Sequence, residues 1–375
     1  MHAIIPLAMM PLAAVLSATE AEADPATPMR VYIGTYAQGI YLLEFDPADG
    51  SLESRGRAGD VEAPSFLAEH PSKPLLYSVG EMDQPEGTVR AWRIDGSTGM
   101  LTLINEQSSR GIAPCHIAVA PSEQHVAVAN YVTGNALLLP IREDGGLDEP
   151  SDIVQHDGSG PNAARQEGPH AHSVTFDPEG ERLLVADLGI DQIRIYQYDA
   201  GEGTLAPHDQ PYVDLPPGAG PRHVAIHPTG EWVYVVNELD STVTTFAREP
   251  EAGTLQRQTT VPTLPEDFDG DSTTAEIRVH PSGKFLYASN RGHDSITVYS
   301  LETDPSAPVL VDHTSTEGQV PRNFNLDPTG AYLLAANQGS DTVVVFRINP
   351  DTGRLTPTGA TADVPRPVCV HFHNP

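Results

Sequence analysis

The chain has 375 residues, with 32 Gly and 35 Pro scattered between short apolar runs. That pattern leaves no room for long helices and demands many turns, so it specifies an all-β protein. A formal net charge of -30, from 51 acidic against 21 basic residues, repels phosphate backbones and anionic headgroups and excludes nucleic acid and membrane surfaces as partners.

In chain order, Ala3 to Leu16 is apolar and Ala21-Glu22-Ala23 offers the small residues of an export cleavage site. The basic start of such a signal is missing, and Pro6 and Pro11 interrupt a stretch too short to span a bilayer. Residues 1–28 are read as a signal or extension segment, ahead of one domain from 29 to 375. The expected location is cytoplasmic, or periplasmic if residues 1–23 are removed on export.

From Met29 onward one unit repeats. Val31 to Tyr36, Ile40 to Phe45 and the strand starting at Ser51-Leu52 match the second, third and fourth strands of a unit that is clearest near residue 230. There Pro221 to His227 forms a strand, Pro228-Thr229-Gly230 turns, Trp232 to Asn237 returns, and Asp240-Ser241 leads into Thr242 to Phe246. The turn proline recurs at Pro71, Pro121, Pro178, Pro228, Pro281 and Pro328, at intervals of 50, 57, 50, 53 and 47 residues. Such a period suits four strands, and radial four-stranded sheets assemble around a channel. Six prolines give six units, and the chain ends supply a seventh: Pro365 to His371 aligns with Pro221 to His227 and provides the strand missing at the N-terminus. The fold class is a seven-bladed β-propeller, closed by the C-terminal strand.

The first two strands of a blade are antiparallel, so the start of the first lies beside the end of the second. As the innermost strands they bring both places to one mouth of the channel. Across blades one to seven the first place holds Arg366, Ser65, Cys115, His172, Arg222, Ala275 and Arg322. Pro367, Phe66, His116, Ser173, His223, Glu276 and Asn323 follow them, and the second place holds Tyr36, Glu81, Tyr131, Leu188, Glu238, Arg291 and Gln338. A structural repeat has no need of that variety, and arginines gathered in so acidic a protein suit a local anion site. Other recurrences are structural: Asn130, Asn237, Asn290, Asn337 and Asp187 hold backbone, and His227 and His280 stabilise turns. Cys115 and Cys369, in non-neighbouring blades, are expected to be unpaired. No metal or cofactor motif is present, and the calcium-like run from Asp267 has Ser272 and Arg278 where the turn glycine and bidentate glutamate belong.

The runs Val31 to Tyr36, Gly168-Pro169-His170-Ala171-His172, Gly220-Pro221-Arg222-His223, Asn237-Glu238 and, most specifically, Ala275 to Gly292 resemble the propeller lactonases, a family that includes bacterial 6-phosphogluconolactonase and fungal carboxy-cis,cis-muconate cyclase. The resemblance implies a small anionic lactone as partner, no cofactor, and a catalytic set of His172, Glu238, Arg222 and Arg291. The substrate-binding set expected around them is His116, His170, His223, Glu276, Arg322, Asn323 and Arg366. Hydrolysis of 6-phosphogluconolactone by a monomer or weak homo-oligomer is the leading expectation, with either His172 or Glu238 as base. A muconate-type cyclase and a non-catalytic binding propeller remain open alternatives. Replacing Arg222 is expected to lower turnover while hardly changing stability.

Overall fold

A computed structural model describes residues 28–82 and 86–373; the proposed export segment lies outside them. Among the described residues all regular structure is β, in seven four-stranded antiparallel sheets. The fifth blade runs outward through Pro221–Ile226, Trp232–Asn237, Thr242–Glu249 and Thr254–Pro262. The two middle strands are nearly continuous runs of Val, Tyr, Thr and Phe because blades cover both their faces, whereas outer strands such as Thr204–Asp214 are largely exposed.

The core therefore lies between blades. Val31, Ile33 and Phe45 of the first blade pack with Tyr332, Leu334 and Val343 of the seventh. Polar latches accompany this packing. On second strands, Tyr32, Tyr77, Tyr234 and Tyr287 each reach into the next blade, donating to the carbonyls of Gly99, Gly145, Pro305 and Gly353. Asn130, Asn290 and Asn337 bond backward, to the carbonyls of Ser109, Thr263 and Thr316 at the ends of the preceding blades. The two cysteines are free.

His227 and His280 do more than hold their own turns. His227 Nδ1 accepts from Thr229 N at 3.2 Å, so Nε2 carries the proton and donates to Gly283 O of the sixth blade at 2.9 Å. His280 repeats the arrangement onto Gly330 O at 2.8 Å. Gly283 and Gly330 both have φ +73, and a Cβ at either would stand within 2.8 Å of the imidazole, so glycine is required there twice over.

The ring closes as expected, but in a different register. Pro367–Phe372 pairs with Met29–Thr35, with Thr35 opposite Pro367. In the fifth blade Asn237 stands opposite Pro221, so Pro367 takes the place of Pro221 and Val368 that of Arg222. Arg366 lies two residues before that place, in a left-handed turn with φ 44. A slip of two preserves which side chains face the core, so alternation could not detect it.

His227→Ala should cost about 1–2 kcal/mol through one buried inter-blade hydrogen bond, with turnover unchanged because the turn lies at the far end of the strand. Urea denaturation and an activity assay on the same preparation check both halves.

Candidate active site

Most innermost strands begin with an irregularity in their pairing. In blades three, four, five and seven the register shifts between Pro114 and His116, Ala171 and Ser173, Pro221 and His223, and Pro321 and Asn323. One extra residue is inserted each time: Cys115, His172, Arg222 and Arg322. Such bulges re-aim a side chain out of the sheet plane, and here they turn these four toward the channel. Directly before the bulge strand, Ala63, Ala113, Gly220, Val320 and Arg366 all have positive φ. Four of the five are not glycine, so the backbone carries strain at this rim.

Glu238 is the hub. It is 4% exposed, and its Oε2 accepts from Arg222 Nε at 3.0 Å and pairs with Arg291 Nη2 at 2.9 Å. Its Oε1 accepts from Arg165 Nη2 at 2.6 Å. Burial alone would raise the Glu238 pKa, but Arg291, Arg222 and Arg165 hold it far below the ordinary carboxylate value. His172 Nε2 stands 3.9 Å from Oε2. Burial, with Arg222 and His223 next in weight, pushes the His172 pKa well down, so the imidazole is neutral near pH 7. The structure thus gathers all four residues expected to be catalytic.

Arg165 is not among the residues that the sequence nominates. It comes from the segment between Asp152–Gln155 and Ala171–Phe176, the longest turn-to-turn interval in the repeat, and that added length was its available signal. Fully buried Gln166 staples the segment through Leu188 O and Asp191 Oδ1, both at 2.8 Å. Arg165 also donates to Tyr131 OH at 3.1 Å.

The residues expected to bind substrate fall into three places. His116, His223, Glu276 and Asn323 form a layer beneath the hub. His223 Nε2 accepts from Arg222 at 3.2 Å, leaving Nδ1 to donate to Glu276 Oε2 at 3.2 Å, and Asn323 donates to the same carboxylate. Burial pushes the His223 pKa down to about 4, with Glu276 opposing it. The rings of Phe66 and His116, tilted against each other with centroids 4.1 Å apart, complete this plug. Below it a cavity of about 640 Å³ is lined by Glu69, Arg278, His371 and the turn prolines Pro121 and Pro178, and by none of Arg222, Arg291 and Glu238. These four residues therefore support Arg222 from below. His170 stacks on Tyr131 and its Nδ1 bonds Tyr131 O at 2.9 Å, which makes it a brace for the Arg165 segment. Only Arg322 and Arg366 stay at the mouth, beside Tyr36, and Arg366 is there as an exposed rim residue rather than a member of the bulge ring.

The site compares as follows with known proteins. The family described as "Lactonase, 7-bladed beta-propeller" matches residues 30–372. A 6-phosphogluconolactonase of Bacillus subtilis is 38% identical over 345 residues, spanning 91% of this chain and 97% of its own. One from Formosa agariphila is 33% identical over 307 residues, spanning 79% and 86%. The solved Pseudomonas aeruginosa periplasmic gluconolactonase is 30% identical with a TM-score of 0.87, covering 92% of this chain and 99% of that one.

Arg222 is 2% exposed and donates to Ala275 O at 2.5 Å as well as to Glu238, which overturns the expectation that its loss hardly affects stability. Arg222→Ala and Glu238→Gln should each cost about 3–5 kcal/mol, because each strands buried charge. For Glu238 the sign in pH is definite. A depressed carboxylate contributes stability that is full above its unfolded pKa of about 4.3 and is lost as pH falls toward the folded value. The gap between wild type and Glu238→Gln should therefore be widest at neutral pH and shrink below about pH 4, as chemical denaturation at several pH values would report.

Proposed function

Because the chain belongs to the lactonase family of seven-bladed β-propellers and is a lactone hydrolase, we propose that it opens 6-phosphogluconolactone, consuming one water and releasing 6-phosphogluconate. One observation carries the choice of an anionic lactone. In a chain of net charge -30, the mouth holds five guanidiniums, of Arg165, Arg222, Arg291, Arg322 and Arg366, against the two carboxylates of Glu238 and Glu81. That local excess suits a substrate that brings its own negative charge.

His172 is the base in this reading. Glu238, fastened by three guanidiniums, is too weak a base, whereas neutral His172 can take a proton from water as the oxygen attacks the lactone carbonyl carbon. The imidazolium that forms lies beside the Glu238 carboxylate, which stabilises it. Negative charge moves onto the carbonyl oxygen, where the Arg291 guanidinium meets it. Its Nε has no protein partner among the described residues. Collapse breaks the bond from the carbonyl carbon to the ring oxygen, and His172 returns its proton to the leaving alkoxide. Arg222 is too deeply buried to hold substrate and instead orients Glu238. Cys115 lies beside His172, with Sγ 3.8 Å from Nδ1, and burial pushes its thiol far up, so it supplies no thiolate.

No helix among the described residues is long and apolar enough to cross a membrane, and a phosphorylated sugar substrate favours the cytoplasm over the periplasm.

The purified protein should accelerate hydrolysis of 6-phosphogluconolactone above its spontaneous rate, and an unchanged rate would remove the reading. His172→Asn and Arg291→Ala should each lower kcat/KM by about a hundredfold or more. Because burial depresses the His172 pKa, background-corrected kcat/KM should show no acid limb near the usual imidazole value of about 6.5. A fall centred there would assign the base elsewhere.

A further inference from the structure

The mouth divides into two stations. His172, Glu238, Arg165, Arg222 and Arg291 come from blades four to six and the segment leading into them. Across from them Tyr36, Glu81, Arg322 and Arg366 come from blades one, two and seven. The chemistry above uses only the first station.

The second is built around a guanidinium without a committed partner. The Arg322 side chain is only 16% exposed, yet none of its N–H donors has a hydrogen-bond acceptor among the described residues. Its nearest carboxylate oxygen, Glu81 Oε1, stands 3.8 Å away and is taken by Tyr36 OH at 2.7 Å. The guanidinium lies 4.9 Å from the centroid of the Tyr36 ring, which steers it without using its donors. Arg366 flanks the same ring at 5.4 Å and spends one nitrogen on Tyr36 O at 3.1 Å. A sequestered planar fork with unfilled donors, next to a second guanidinium at the rim, is the geometry that recognises a tetrahedral or planar oxyanion. Arg322 also lies within electrostatic range of Arg222, Arg291 and Glu238 of the first station.

We propose that Arg322, assisted by Arg366 and positioned by Tyr36, is the subsite for the anionic substituent of the lactone, held across the mouth from the carbonyl that reacts. The proposal rests on the lactonase reading above and adds to it the residue that selects phosphorylated over neutral sugar lactones.

The test compares 6-phosphogluconolactone with uncharged glucono-1,5-lactone in wild type, Arg322→Gln and Arg366→Gln. Arg322→Gln should raise KM for the phosphorylated lactone at least thirtyfold with kcat within threefold, and change kcat/KM for the neutral lactone less than threefold. Arg366→Gln, at an exposed position, should show the same selectivity at about a third of the size. Should Arg322→Gln not fold, wild type decides with Arg366→Gln: 6-phosphogluconate must compete against the neutral lactone at least tenfold better than gluconate, and Arg366→Gln must narrow that ratio. Equal losses on both lactones, or equal inhibition by both acids, overturn the subsite while leaving lactonase activity standing. Wild type inert on both lactones overturns the underlying reading and the subsite with it.

Discussion

A channel lined by seven strands exists only if the ring closes, and it closes through backbone pairs between the chain's two ends, Met29–Thr35 and Pro367–Phe372. Each blade buries its faces against neighbours, so an open ring would expose two apolar faces and an unpaired strand edge. Closure also sets geometry. It fixes the distance across the mouth, and with it the approach of groups from blades four to six toward those from blades seven, one and two. The latches between blades, made by tyrosines, asparagines and histidines at repeated positions, hold that geometry between polar atoms whose partners do not vary.

Within this frame the repeat and the chemistry are separated by a single inserted residue. The bulge at the head of the innermost strand is shared by blades, while the side chain it projects differs: a thiol, an imidazole, two guanidiniums. The frame can therefore be conserved in energy while the ring is varied in function. Left-handed residues just before the bulge, including Val320 and Ala113, show that this backbone shape is imposed by the surroundings rather than chosen locally.

The electrostatics work by concentration. The net charge of -30 belongs to the whole chain, but Glu238 collects three guanidiniums at a carboxylate that is itself buried. There the same charges interact far more strongly than they would in solvent. The layer of His223, Glu276 and Asn323 completes the arrangement from below: with Nδ1 of His223 committed to Glu276, its Nε2 must accept from Arg222, so the guanidinium is held in one orientation. The imidazoles of His116 and His223, with pKa values lowered by burial, stay neutral, so the charge in that layer is the Glu276 carboxylate.

What could be read from the sequence was whatever repeats. The turn prolines and apolar strands set the number of blades, because every copy must bury the same faces, and variation at a fixed place within the repeat singled out His172, Arg222, Glu238, Arg291 and Arg322. The resemblance to lactonases added the reaction class. Three matters were decided only in the folded molecule. Arg165 belongs to no repeat, and a loop side chain finds its partner 73 residues away only once the blades are assembled. Arg366 was misplaced by two because a two-residue slip leaves the pattern of inward and outward side chains untouched, so hydrogen-bond pairing alone settles it. And adjacent residues such as Arg222 and His223 look equally polar in the sequence, while the bulge at Arg222 sends one to the hub at the mouth and leaves the other in the layer beneath, a difference of depth that linear order does not contain.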